Sequence, residues 1–127
     1  MAITKEAKKL AKENDFVIKA YQFEAIKEDT RKPRTVKVAA IQHAVSVPLT
    51  DPVGEQKRKT FEKVGKIIDA AAKEGVNILC LQELWYLPYF FCTGEKQPWC
   101  EFAEAAETGA AVTFLTHVSI QMLSLKI

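Results

Sequence analysis

The stretch EGVNILCLQE, Glu74 to Glu83, decides the fold. Gly75 is a helix stop, VNILCL at Val76 to Leu81 is a short apolar run with Asn77 its one polar residue, and Gln82 and Glu83 follow it directly. A run of this length next to a glycine reads as a buried strand. Upstream of Gly75, Phe61, Val64, Ile68 and Ala71 recur at helical spacing. Asp51 supplies an N-cap and Pro52 a residue suited to the first helical position, so the reading is a helix of about five turns. Further upstream, TVKVAAIQH offers Val36, Val38 and Ala40 to one face and Ala39 and Ile41 to the other, the pattern of a strand covered on both sides. Strand, long helix and strand in this length make a right-handed parallel crossover, and the class is α/β.

Reactive groups of open parallel sheets gather beyond the carboxyl ends of the strands, which is where Gln82 and Glu83 sit. The rings that follow, Trp85, Tyr86, Tyr89, Phe90 and Phe91, are placed to wall a pocket and keep a carboxylate partly dry, and hence more basic. The plainer readings are a solvated glutamate at a strand end and an aromatic core or subunit interface.

The flanks carry less. Met1 to Asn14 reads as a helix with a thin stripe of Ala7, Leu10 and Ala11, its lysines interrupted by Glu6 and Glu13 as on a solvated face. Phe16 to Ile26 fits neither the strand nor the helix period, and EDTRKPRT is a polar connector in which Pro33 turns the preceding residue away from helix. Past Gly94, Pro98 is read as opening a short helix that turns Trp99, Phe102, Ala103 and Ala106 inward and ends at Gly109. The tail AAVTFLTHVSIQMLSLKI is left open between helix and strand. The boundaries read this way are an extension over 1–34, a domain over 35–109 and an apolar tail over 110–127.

Composition excludes several classes. A net charge of +2 in 127 residues, with both signs mixed along the chain, lacks the concentrated positive field of a nucleic-acid binder. No apolar run reaches the roughly 18 residues that span a bilayer. Three cysteines, Cys80, Cys92 and Cys100, form no C-x-x-C pair and point to reduced thiols in a cytoplasmic protein. Cys80, alternating with Leu79 and Leu81, reads as a small buried apolar residue, and Cys92 and Cys100 have no adjacent histidine to activate them. His43 and His117 lack a ligand partner at metal spacing, and no glycine-rich phosphate loop is present.

YQFEA at Tyr21, RKPRTVKVAAIQ at Arg31, GVNILCLQELWYLPYFFCTGEKQPW at Gly75 and EFAEAAETG at Glu101 together resemble the nitrilase superfamily of carbon-nitrogen hydrolases, in its β-ureidopropionase branch. The resemblance implies the N-terminal part of a four-layer α-β-β-α sandwich, a homo-oligomer, and hydrolysis of N-carbamoyl-β-alanine to β-alanine, carbon dioxide and ammonia by a glutamate, a lysine and a cysteine. It assigns Glu83 the first role: taking the proton of the nucleophilic thiol and later activating water, while the lysine steadies the oxyanion. It implies neither cofactor nor metal. Its lysine and nucleophilic cysteine belong to downstream motifs with no counterpart here, so neither role passes to Lys96, Lys126, Cys80, Cys92 or Cys100. The chain therefore resembles the start of a family member with an altered end. Two strands leave apolar faces without covering layers, and the isolated chain is expected to be inactive. The alternatives are another N-carbamoyl amidase of the superfamily and a non-catalytic interaction module.

Overall fold

A computed structural model describes residues 2–27, 29–45, 47–90, 94 and 99–124, the side chains of 121–124 excepted. Two strands, β1 (Val38–Ile41) and β2 (Ile78–Leu81), pair in parallel with Val38 opposite Ile78 and Ile41 opposite Leu81. Amide side chains extend this short ladder at both ends. Before the strands, the Asn77 side chain accepts from the Lys37 N–H at 3.0 Å while the Asn77 N–H donates to the Lys37 carbonyl at 2.8 Å. Beyond them, Gln82 grips the backbone of His43.

The crossover helix, α2 (Val53–Lys73), begins after Pro52, which has ψ 140° and so lies outside the helix. This corrects the expected start by one position, and with it the role of Asp51. No side chain caps α2; the Asp51 carboxylate turns to the Lys59 ammonium at 3.2 Å instead. The otherwise free Glu55 N–H finds the Pro52 carbonyl at 2.9 Å, which also takes the first regular helix bond, from the Gln56 N–H at 3.0 Å. The far end follows the sequence. Gly75 has φ +70°, and the N–H groups of Gly75 and Val76 return to the carbonyls of Ala72 and Ala71 at 2.8 and 3.2 Å, a Schellman stop.

The buried line of α2 runs Gln56, Thr60, Val64, Ile68 at steps of four. Val64 and Ile68 meet Ile41 from β1 and Val118 from α3 (Ala110–Ser124), with Leu79, Leu81, Trp85 and Phe114 packed around them. Burying each of these aliphatic side chains contributes about 1.5–3 kcal/mol. The tail is thus helical because Phe114 and Val118, one turn apart, both reach this core.

All of this covering lies on one face of the sheet. Val38, Ala40, Ile78 and Cys80 form the opposite face and are exposed, which corrects two expectations: β1 is covered on one side only, and Cys80 is not buried. Alternation puts Cys80 on the face away from Leu79 and Leu81, and among the described residues the helices that reach the core meet the other face. No helix among the described residues is long and apolar enough to cross a membrane; α3, at 15 residues, is about 22 Å long.

An N-terminal helix, α1 (Lys5–Glu13), packs on α2 through Ala7 and Ala11, both buried. Thr4 caps it by accepting from the Ala7 N–H, and Glu6 pairs with Lys73 at 2.8 Å. Phe16 to Ile26 has no regular structure and exposes Val17, Tyr21, Phe23 and Ile26.

Between β2 and α3 the expected short helix is a single 3-10 turn, Trp99–Phe102. Phe102 is buried as read, but Ala103 and Ala106 are exposed, because the turn ends before they can face inward. Pro98, Phe91, Cys92, Lys96 and Lys126 lie outside the described residues. Gly109 does not end that turn. It leads into α3, and a Cβ there would meet the Ala105 carbonyl and the Glu104 Cβ at 2.7 Å. Since one of these is backbone, the clash has no cheap escape. Gly109→Ala is expected to destabilise the chain by about 1–3 kcal/mol, read as a lower urea midpoint.

Candidate functional site

The carboxyl ends of β1 and β2 are joined by one side chain. Gln82 Oε1 accepts from the His43 N–H at 2.8 Å and Gln82 Nε2 donates to the His43 carbonyl at 3.0 Å, so the amide replaces the next rung of the parallel ladder. A two-point clamp of this kind fixes both the strand spacing and the direction in which the chain leaves β2. Gln82→Leu removes both bonds and leaves the two His43 groups unpaired, with an expected loss of about 1–3 kcal/mol and faster exchange of the His43 amide proton.

Immediately after the clamp the chain turns sharply through Glu83 to Tyr86. Leu84 takes the left-handed conformation at φ +54°, which disfavours a side chain by about 1–2 kcal/mol, and the Leu87 N–H closes the turn on the Leu84 carbonyl at 3.3 Å. What holds Leu84 there is the packing that follows. Trp85 lies 5.3 Å from Phe61 and 5.6 Å from Phe114, Tyr86 lies 6.1 Å from Phe61, and Pro88 is buried. Strain held at a corner by rings behind it is characteristic of functional positions.

Of the readings open for Glu83 and the rings after it, the structure takes the plainer ones for Glu83, Trp85 and Tyr86. Glu83 is exposed, and it does not line the nearby cavity. Trp85 and Tyr86 turn toward α2 and α3, since Phe61 and Phe114 offer them an aromatic face, so they serve as core and leave the carboxylate in water. Tyr89 is exposed, and Phe90 stacks on Trp99 at 6.1 Å.

Two polar clusters behind this corner escaped the sequence reading. Lys57, on α2, donates to Glu104 at 2.7 Å with both side chains only 13% exposed, and its ammonium lies 5.8 and 5.6 Å from the rings of Tyr86 and Phe102. Burial on its own raises the Glu104 pKa, but hydrogen bonds from Lys57 and the Ala111 N–H, with the Lys57 charge, outweigh it and hold the carboxyl below its usual value. The pair ties α2, the Tyr86 turn and the start of α3 together. The second cluster is a cavity of about 20 Å³ lined by His43, Gln56, Thr60, Gln82, Trp85 and Pro88 among others. The only sequence signal for Gln56 and Thr60 was their place on the i, i+4 line of Val64 and Ile68, which an apolar pattern skips.

The remaining candidates are not brought together. Cys80 and Cys100 are exposed free thiols on different elements, and among the described residues no three His, Cys, Asp or Glu side chains cluster as metal ligands.

A family model described as carbon-nitrogen hydrolase matches residues 37–122, from the start of the strand pair into α3. The chain is similar to the beta-ureidopropionase of Arabidopsis thaliana, 44% identical over 119 residues, which make up 94% of this chain and 29% of that protein. The chain thus spans less than a third of the relative it matches.

Proposed function

The chain belongs to the carbon-nitrogen hydrolase family, and we propose that it is the glutamate-bearing segment of a cytoplasmic β-ureidopropionase. The carrying observation is the placement of Glu83 at the carboxyl end of β2, held there by the Gln82 clamp and the strained Leu84 turn. In this reading Glu83 takes the proton of a cysteine thiol, the thiolate attacks the carbamoyl carbon of N-carbamoyl-β-alanine, a C–N bond breaks as Glu83 hands that proton to the leaving nitrogen, and Glu83 then activates the water that cleaves the C–S bond and frees the enzyme. The thiol and the oxyanion-binding lysine would come from further residues of a complete hydrolase.

The 127-residue chain alone is expected to release no ammonia from N-carbamoyl-β-alanine above a Glu83→Gln control. Joined to the remainder of the Arabidopsis relative, in place of that protein's matching segment, it is expected to restore turnover. A chimera that folds but prefers another N-carbamoyl amine, or hydrolyses none, would overturn the substrate assignment.

A second reading is favoured by the uncovered apolar surface: Val38 and Ile78 on the sheet, and Val17, Tyr21, Phe23 and Ile26 on the N-terminal segment. Here the chain is an interaction module that docks on a complete subunit of the same family. Mixing the two and measuring molecular mass tests it, a hetero-oligomer supporting the module and separate species excluding it.

A further inference from the structure

We infer that the cavity beside the Gln82 clamp is a binding site for one water molecule, bridging His43 Nε2 and Gln56 Oε1. Both atoms are buried and have no hydrogen-bond partner among the described residues, and both residues line the same space of about 20 Å³. Neighbouring bonds set the chemistry each atom presents. Gln56 is 2% exposed, and its Nε2 donates to the carbonyls of Asp51 at 2.7 Å and Leu49 at 3.2 Å, which leaves Oε1 as a bare acceptor. His43 Nδ1 lies 3.2 Å from the Ala44 carbonyl oxygen, which can only accept; the tautomer that suits this contact has its proton on Nδ1, which leaves Nε2 as an acceptor too.

Two acceptors cannot satisfy one another. They require a small molecule with two hydrogens to donate, and burial makes leaving them unsatisfied unfavourable. The volume exceeds the roughly 10–15 Å³ that one water needs. Ammonium has the size, but two neutral acceptors do not offset a buried charge. The water therefore joins the loop after β1 to the first turn of α2, and makes Gln56 a positioning residue for the backbone that Gln82 grips. This inference does not depend on the hydrolase reading.

Water-selective NOE spectroscopy on the ¹⁵N,¹³C-labelled 127-residue chain tests it. A slow-tumbling water cross-peak at the His43 ring proton between the two nitrogens is expected, with long-range ¹⁵N correlations placing the ring proton on Nδ1. Gln56→Met is expected to lose that peak and keep the Gln82 side-chain amide shifts, and Thr60→Val is expected to retain it, which excludes relay through the hydroxyl. The wild-type spectrum decides the matter even if Gln56→Met fails to fold. Absence of the water peak there, a proton on Nε2 with direct contact to Gln56, or shifts of the His43 ring on adding ammonium chloride would each overturn the assignment.

Discussion

In a chimera carrying this chain on the remainder of a β-ureidopropionase, Glu83→Gln is expected to lower kcat for N-carbamoyl-β-alanine by about 10³-fold, within the 10²–10⁴-fold range of general-base loss. Glutamine matches the shape of glutamate and keeps an acceptor oxygen, but it cannot take a proton. If Glu83 serves only to hold the chain, the substitution changes little, because the side chain is exposed and the turn is held by Gln82, Leu84 and Trp85. A proton-transfer role predicts a fall in kcat with KM nearly unchanged, since substrate affinity does not need the base. In the isolated chain water reaches Glu83 freely. Covering by further layers of a complete enzyme would dry it, which makes the chimera the right setting for the measurement. Retention of kcat within tenfold would remove Glu83 from the proposal.

The largest expected effect on stability comes from Glu104→Ala. It strips the Lys57 ammonium of its carboxylate at 2.7 Å and the Ala111 N–H of its acceptor at 2.8 Å. Breaking a fully buried pair costs about 3–5 kcal/mol. With both side chains 13% exposed, and Lys57 still donating to the Phe102 carbonyl at 3.2 Å, about 2–3 kcal/mol is expected here. Glu104→Gln keeps an acceptor for Ala111 but not the charge, and should lose roughly half as much. The pH dependence has a definite sign. Because the folded-state pKa of Glu104 lies below the ordinary glutamate value of about 4.5, its contribution is present above that value and disappears as pH falls through the folded one. Urea unfolding of wild type and Glu104→Gln at neutral and acid pH should therefore converge in the acid. A Glu104→Ala loss under 0.5 kcal/mol, or a gap that widens in acid, would show that the pair is not a staple.

The strand-helix-strand unit and its punctuation were legible in the residues because local chemistry sets them. Only glycine adopts the φ of Gly75 freely, and the short, largely apolar run after it has few conformations besides a strand. The position of Glu83 at the strand end follows from the same local rules. Whether a residue is covered does not, because coverage depends on what lies across the sheet. Val38 and Cys80 read as buried and are exposed, since α2 and α3 both pack on the face of Ile41, Leu79 and Leu81. The aromatic run likewise had the composition of a substrate wall, but Phe61 and Phe114 drew Trp85 and Tyr86 inward. Gln56, Lys57 and Glu104 drew no notice as sequence, for a polar side chain gains meaning only from its partners, and 47 residues separate Lys57 from Glu104. Periodicity and chain punctuation, read along the backbone, determined the elements and the end at which the acid emerges. Packing between distant segments decided which faces stay dry, which polar groups are buried, and that Glu83 stands in water.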